Sequence, residues 1–235
     1  MALPQINSSR YTVFVPGLNK EVEFRPYLVK EEKILMVAME SNDQKQILGA
    51  IKDVIQACVF DNINVNNLAV FDLEVLFLHL RAKSVGEKIN VNVKCQDEEC
   101  QLESPIEINL DDIKAPVIEK DDNVVMLSDD IGMTLRYPSF EDIQRFDPEY
   151  LEKIDGIMEL LVLCIENIFD TEEVYENSSD KEKMEFIENL NTDQFQTISK
   201  FFDGMPSLKY DVEFTCIKCE KENKVELKGI QSFFT

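Results

Sequence analysis

Four of the six cysteines occur as two close pairs, each in a polar turn between two alternating segments. Cys95 and Cys100 lie in VKCQDEECQLESPIEI, and Cys216 and Cys219 lie in TCIKCEKENKVEL. Structural zinc is held by four ligands in a tetrahedron, and a hairpin turn can aim two thiolates at one ion. Each pair therefore supplies half a site, and the two pairs together predict a four-cysteine zinc centre.

Two other interpretations of these cysteines stay open at the level of sequence. In the first, the thiols are reduced and hold no metal, as remnants of an ancestral site. In the second, they form a thioredoxin-like redox pair, but that motif opens a helix after a strand, whereas Cys216 and Cys219 lie between strands. Zinc is the favoured hypothesis because an ion would also clamp together two distant parts of the chain.

The remaining candidates for chemistry are few. Cys58 in VIQACVF and Cys164 in LLVLCIENIF lie in apolar helical segments, which is typical of core residues. His79 is the single histidine, and EVLFLHLRAK places it in an apolar helix, as a core or interface residue. The sequence contains neither a Walker A loop nor a G-x-G-x-x-G motif. We therefore predict a protein that is not an enzyme, with no catalytic residues and no bound organic cofactor.

Charge and composition restrict the kinds of partner. The 235 residues carry a formal net charge of −22, which disfavours binding to DNA, RNA and anionic membranes. A hydrophobic content of 44% is enough to form a core. The beginning MALPQINSSRYTVFV lacks the apolar core of a signal peptide, and no apolar run is long enough to span a membrane. We expect a cytosolic protein with protein partners, in which disulfides are disfavoured.

The first part of the chain is predicted to be a hairpin, three helices and a second hairpin. YTVFVPGLNKEVEF alternates around a Pro-Gly turn, which predicts the first hairpin. Helical spacing then follows in PYLVKEEKILMVAMES, DQKQILGAIKDVIQACVF and NLAVFDLEVLFLHLRAKSVG. In the first of these helices the predicted buried face contains Leu28, Ile34, Leu35 and Ala38. EKINVNVKC and SPIEINLDDI are the strands of the second hairpin, around the first cysteine turn.

The second part repeats this order. NVVMLSDDIGMTLRYP predicts a hairpin, and its end LRYPSF resembles the earlier FRPYLV. A helix is predicted through EYLEKIDGIMELLVLCIENIFD, where CIENIFD resembles the earlier IQACVFD. Two shorter amphipathic segments come next, followed by LKYDVEFTC and ENKVELKGI around the second cysteine turn. An ancient duplication explains this parallel, although the same order of elements can also recur by chance.

The predicted fold class is α+β, with two related halves joined through a zinc-ribbon-like cysteine site. We predict a flexible leader at residues 1–10, a first half at 11–115, a linker at 116–123 and a second half at 124–235. The linker prediction rests on the polar, proline-containing stretch KAPVIEKDDN.

Several stretches resemble the baseplate proteins of T4-like contractile-tailed bacteriophages, the hub subunits or hub assembly proteins. The most specific are FRPYLVKEEKIL and LFLHLRAKSVGE, and IEINLDDI adds to them. The resemblance runs from about Leu3 to Phe234 and is strongest over the first 115 residues. It brings no catalytic residue to this chain, and the zinc prediction does not depend on it.

The resemblance implies a non-enzymatic protein made late in infection, in the host cytoplasm. Its partners would be other baseplate hub and tail proteins, with neither nucleic acid nor membrane bound directly. Whether it stays in the virion or leaves as an assembly factor is open. The alternative function is that of an acidic zinc-ribbon adaptor that contacts transcription or replication machinery.

Overall fold

The computed structural model describes residues 8–118 and 123–229, and these form a mixed α and β structure. Up to residue 118 the elements are β1 (Tyr11–Val15), β2 (Lys20–Phe24), α1 (Val29–Glu40), α2 (Gln44–Cys58), α3 (Val70–Ser84), β3 (Lys88–Lys94) and β4 (Glu103–Asn109). After residue 123 they are β5 (Val124–Met126), β6 (Gly132–Leu135), α4 (Phe140–Gln144), α5 (Pro148–Leu151), α6 (Ile154–Cys164), β7 (Ile165–Phe169), β8 (Val174–Tyr175), α7 (Asp180–Glu188), α8 (Thr192–Asp203), β9 (Lys209–Thr215) and β10 (Glu222–Lys228). The mixed α+β class predicted from the sequence is confirmed.

The chain divides into two compact units, each of which combines segments that are not consecutive in the sequence. Unit 1 comprises Met1–Val65, Phe71–Pro116 and Ser207–Thr235, and unit 2 comprises Asn66–Val70 and Val117–Pro206. The hairpin of β9 and β10, at the end of the predicted second half, therefore belongs by contact to unit 1 together with both cysteine pairs. Residues 1–7 of the predicted leader and 119–122 of the predicted linker lie outside the described residues.

The described part of unit 1 contains three antiparallel hairpins, β1–β2, β3–β4 and β9–β10, with α1, α2 and the body of α3. Alternation along the strands buries one face of each hairpin, as at Val13, Val15 and Val22. Asp43 caps α2 by accepting hydrogen bonds from the N–H groups of Lys45 and Gln46. Helix α3 is apolar around most of its circumference, so it is buried among the other elements rather than lying on the surface.

The buried face of α1 differs from the prediction. Leu35 and Ala38 are buried as expected, but Leu28 and Ile34 are each 46% exposed. Glu31 takes a place on the buried face instead, because its carboxylate is paired with an arginine and with a backbone N–H. Hydrophobic spacing in a helix with apolar residues on every side does not determine which face is covered.

A buried aspartate joins the first hairpin to α3. The Asp72 carboxylate is 1% exposed and accepts a hydrogen bond of 2.8 Å from the N–H of Gly17 in the β1–β2 turn. A Cβ at Gly17 would lie 2.1 Å from Oδ2 of Asp72, so only glycine allows this approach. Burial raises the pKa of Asp72 to about 6, although the Gly17 hydrogen bond acts in the opposite direction.

We expect Asp72 to make unit 1 more stable in mild acid. A pKa that is higher in the folded than in the unfolded state gives a stabilisation present below the unfolded value and lost as the pH rises through about 6. The difference between a folded-state pKa of about 6 and the ordinary value of 3.8 corresponds to about 3 kcal/mol. In urea unfolding, the wild-type free energy of unfolding relative to Asp72→Asn should rise by about that amount between pH 7 and pH 4. A pH-independent difference between the two proteins would contradict this prediction.

Unit 2 is built on a four-stranded antiparallel sheet in the order β5-β6-β7-β8. Its core combines residues of this sheet with α6, α7 and α8, as at Met133, Leu135, Val162 and Ile198. The helix predicted through CIENIFD is wrong in its second part, because α6 ends at Cys164 and Ile165–Phe169 pairs with β6. The β-branched isoleucines of this stretch suit a strand once a partner strand is available.

An arginine follows the first hairpin of unit 1 and ties it to both of the next helices. The guanidinium of Arg25 donates to Glu31 in the first turn of α1 and to the carbonyl of Ala57 at the end of α2. The N–H of Arg25 donates to the carbonyl of the buried Cys58. The Glu31 carboxylate also accepts from the N–H of Leu28, the residue before α1. We call this set the arginine clamp of unit 1.

Unit 2 contains the same arrangement. The guanidinium of Arg136 donates to Asp142 in the first turn of α4 and to the carbonyl of Leu163 near the end of α6. The N–H of Arg136 donates to the carbonyl of the buried Cys164. The Asp142 carboxylate also accepts from the N–H of Ser139, the residue before α4. In both clamps the acidic residue lies six positions after the arginine.

Candidate metal centre

The two cysteine pairs lie at the tips of the hairpins β3–β4 and β9–β10. Each hairpin pairs seven residues with seven in an unbroken antiparallel register. Cys95 directly follows β3, and its N–H donates to the carbonyl of Leu102 across the turn. Cys216 directly follows β9, and its N–H donates to the carbonyl of Lys221. The first cysteine of each pair is thus fixed at the last rung of its ladder.

In each turn, the residue after the second cysteine has a left-handed backbone conformation. Gln101, after Cys100, has φ of 43°, and Glu220, after Cys219, has φ of 59°. Few non-glycine residues adopt such angles. The shared conformation bends the chain back toward the ladder, so that the second thiol of each pair points to the same side as the first.

The four sulfur atoms form one compact cluster, in which each thiol of one hairpin lies close to a thiol of the other hairpin. The Sγ atoms of Cys95 and Cys219 are 3.6 Å apart, and those of Cys100 and Cys216 are 3.7 Å apart. All four lie within 4.8 Å of one another. Sulfur ligands at about 2.3 Å from a tetrahedral zinc ion are separated by roughly 3.8 Å. The geometry therefore fits a single four-coordinate ion.

Burial differs within the cluster. Cys95 and Cys216 are buried, Cys100 is half-buried and Cys219 is exposed. Hydrogen bonds from the N–H groups of Cys219 and Lys218 lower the pKa of Cys216 to about 6. For Cys219, the Lys221 N–H lowers the pKa, but partial desolvation and hydrogen bonds with the other thiols outweigh it and raise the pKa to about 12. The thiolate of Cys216 is thus favoured near neutral pH.

Polar contacts beside the cluster hold the two hairpins to each other. The N–H of Gln96 donates to the side-chain oxygen of Asn223 at 2.8 Å, and the Gln96 amide donates to the carbonyl of Lys224 at 2.7 Å. Asn223 is 4% exposed and also donates to the carbonyl of Lys221. The spacing of cysteines gave no signal for Gln96, a polar residue of the first turn, or for Asn223, a polar residue of β10.

The other thiols and the histidine are not members of this cluster. Cys58 is 1% exposed, and burial raises its pKa to about 11. Cys164 is fully buried, and burial raises its pKa to about 12. Both are core residues, as predicted. His79 is half-buried on α3, and burial lowers its pKa.

Comparison with known proteins assigns nearly the whole chain to one family. The sequence profile described as T4 bacteriophage base plate protein matches residues 8–235, which include both clamps and both cysteine hairpins. The chain belongs to this family.

A curated relative supports the same assignment. The baseplate hub assembly protein gp26 of Enterobacteria phage T4 is 25% identical over 220 residues, which make up 92% of this chain and 93% of that protein. No solved structure matches the chain significantly. Within residues 8–118 and 123–229, no helix of this family member is long and apolar enough to cross a membrane.

Proposed function

We propose that this chain is a non-enzymatic component or assembly factor of the baseplate hub of a T4-like contractile-tailed bacteriophage. The observation that carries the proposal is the family match over residues 8–235. The name of the T4 relative, a baseplate hub assembly protein, supports the hub in particular. The alternative of an adaptor for transcription or replication machinery gains no support from these comparisons.

The surface suits a protein that works by contact with other proteins. The net charge of −22 opposes nucleic-acid binding, and several large apolar side chains of α1 are exposed. Its partners are other hub and tail proteins of the phage. It meets them in the host cytoplasm during assembly, and it is found in the tail baseplate of the virion if it remains bound.

We further propose that Cys95, Cys100, Cys216 and Cys219 hold one structural zinc ion. The support is the cluster of four sulfur atoms within 4.8 Å. Four protein ligands leave no coordination position for a substrate, which is typical of structural rather than catalytic zinc. The ion would fix two hairpins that are more than a hundred residues apart in sequence, and it would thereby make unit 1 rigid.

Repeated interactions support the duplication. Phe24 forms a β-bridge with Val59, the residue after Cys58, and Leu135 pairs with Ile165, the residue after Cys164. The two arginine clamps and the two left-handed turns after the cysteine pairs add to this correspondence. We propose that the two halves descend from one ancestral module of hairpin, helices and cysteine hairpin.

Infection with a phage whose copy of this gene carries an early stop codon tests the hub function. We expect late phage proteins to be made normally while complete baseplates fail to form, as measured by pulse labelling and by sedimentation of tail intermediates. The wild-type chain supplied from a plasmid should restore baseplates. A loss of late-protein synthesis would instead favour the adaptor. Mass spectrometry of purified virions then distinguishes the two roles, because a component of the baseplate is present in the particle and an assembly factor that leaves is absent.

A further inference from the structure

One thiol of the cysteine cluster is open to solvent. Cys219 is exposed, whereas Cys100 is half-buried and Cys95 and Cys216 are buried. Both sequence neighbours of Cys219 are exposed as well, so the turn presents this thiol to the medium. A cysteine binds zinc as a thiolate, and the thiolate is the form that oxidants attack. Because oxidation also follows exposure, an oxidant in solution reaches the cluster first at Cys219.

Two close contacts between thiols run from one hairpin to the other. Sγ of Cys219 lies 3.6 Å from Sγ of Cys95, and Sγ of Cys100 lies 3.7 Å from Sγ of Cys216. A disulfide brings two sulfur atoms to about 2.05 Å, so each pair has to approach by roughly 1.6 Å. Rotation of the side chains can supply a movement of this size. The contacts therefore define two disulfides, both of them between the hairpins.

Contacts that involve no metal ligand also hold the two cysteine hairpins side by side. Gln96 donates its N–H to the Asn223 side chain and its amide to the carbonyl of Lys224. The ammonium group of Lys221 lies 3.5 Å from a carboxylate oxygen of Asp97, in the other turn. These contacts do not depend on an ion. The thiols of the two hairpins therefore stay close to each other when an ion leaves.

Disulfides within one turn and disulfides between the hairpins differ in the length of chain that they close. Pairing within a turn closes a loop of a few residues. Pairing between the hairpins joins residues that are 124 and 116 positions apart. A longer closed loop removes more conformational entropy from the unfolded chain. Exchange between thiols and disulfides therefore favours the pairing between the hairpins.

We propose that the cysteine cluster is a redox switch, in which an oxidant of the peroxide class converts the zinc-binding thiolates into the disulfides Cys95–Cys219 and Cys100–Cys216. The thiolate is the metal ligand, so the ion leaves, and the covalent bonds hold the two hairpins in its place. A reducing cytosol maintains the zinc form, and oxidising surroundings produce the disulfide form. The inference rests on the proposed zinc site and does not depend on the hub function.

Atoms and electrons balance with two equivalents of hydrogen peroxide. The Cys219 thiolate attacks one peroxide oxygen, the O–O bond breaks, and a sulfenic acid forms with release of hydroxide. The Cys95 thiolate then attacks the Cys219 sulfur, the S–O bond breaks, and a second hydroxide leaves as the disulfide forms. Cys100 and Cys216 react with the second peroxide in the same two steps. Four thiolates thus lose four electrons, and two peroxides become four hydroxide ions.

Treatment of the zinc-loaded full chain with hydrogen peroxide tests the switch. Two equivalents should release one zinc per chain, measured with a chromogenic chelator, and should lower the mass of the reduced chain by four hydrogens. Trypsin cleaves after Lys218, and a glutamate-specific protease cleaves after Glu98 or Glu99, so the four cysteines fall on separate peptides. Mapping without reductant should join the Cys95 peptide to that of Cys219. Dithiothreitol with added zinc should restore the original protein.

Two further measurements address the order of reaction and its consequence. A limiting amount of N-ethylmaleimide should label Cys219 before the other cysteines of the cluster. After oxidation, a chelator should no longer lower the melting temperature, whereas it should lower that of the reduced zinc form. Cys58→Ala is the matched control, because it removes a buried thiol outside the cluster and should release zinc and form the same disulfides.

Four results would overturn the proposal. They are zinc that stays bound in peroxide, disulfides within the pairs Cys95–Cys100 and Cys216–Cys219, a first label on another cysteine of the cluster, and an oxidised chain that a chelator still destabilises. Zinc is measured before oxidation, so a chain without zinc refutes the structural site, while the disulfides of that chain still decide the pairing. The hub function is tested separately by the stop-codon infection.

Discussion

Cys216→Ser is expected to release the zinc ion and to lower the stability of unit 1 by several kcal/mol. The substitution leaves three thiols, and no histidine in the sequence is near enough to replace the fourth. Loss of a ligand present at a thousand times its dissociation constant removes about 4 kcal/mol of stabilisation. For units of this size we expect a fall in melting temperature of roughly 10 °C. Elemental analysis should give close to one zinc per wild-type chain and little in the variant.

The matched control is Cys58→Ala, which removes a buried thiol of the same unit outside the cluster. It should lose some packing stability but retain one zinc. A thiol-reactive mercurial should release zinc from the wild type and from this control alike, because both keep the four clustered thiols. Wild-type protein purified under reducing conditions and found free of metal would refute the zinc site.

The cysteine site was predictable because its signal is local. Two short Cys-to-Cys spacings, each between alternating segments, already implied hairpin turns at Cys95 and Cys216. That the turns meet depended on a non-local argument, the repeat of element order, and the sulfur distances agree with it. Gln96 and Asn223 could not be found in this way, because their pairing depends on the relative position of the two hairpins and leaves no periodic pattern.

The two arginine clamps, unlike the cysteine site, could not be predicted from the sequence. The likeness of FRPYLV to LRYPSF was visible in the sequence, but its physical cause was not. An arginine that reaches a carboxylate six residues later and a carbonyl about thirty residues later depends on how two helices fold back. The end of α6 was predicted wrongly for a related reason. The apolar stretch CIENIF is compatible with a helix or a strand, and only its pairing with β6 determines that most of it is a strand.

The second large effect is expected at the clamp of unit 2. Asp142 is 3% exposed, and Arg136 supplies its charge partner. Arg136→Met leaves the carboxylate buried with hydrogen bonds from Ser139 alone. Loss of one member of a buried ion pair costs about 3 to 5 kcal/mol, and we expect the lower end because Arg136 itself is partly exposed. Urea unfolding of the wild type and of Arg136→Met measures this loss.

A neutral double variant tests whether the loss comes from the unpaired charge. Asp142→Leu in the Arg136→Met background should recover much of the stability, because no buried carboxylate remains. Arg145→Met is the control, because Arg145 pairs with Glu141 on the surface, where such pairs contribute under about 1 kcal/mol. If the double variant is as unstable as the sum of its single variants, lost packing rather than buried charge explains the clamp.

The contribution of Asp142 to stability should change with pH in the opposite direction to that of Asp72. Burial acts against the Asp142 carboxylate, but hydrogen bonds from Arg136 and Ser139 outweigh it and hold its pKa below the usual value. A lowered folded-state pKa gives a stabilisation that is present above the unfolded value and is lost as the pH falls through the folded one. The difference in free energy of unfolding between wild type and Arg136→Met should therefore become smaller below about pH 4. Arg25→Met should behave alike in unit 1, since Arg25 helps to lower the pKa of Glu31 against the effect of burial. A difference that stays constant into acid would show that neither arginine acts through its charge.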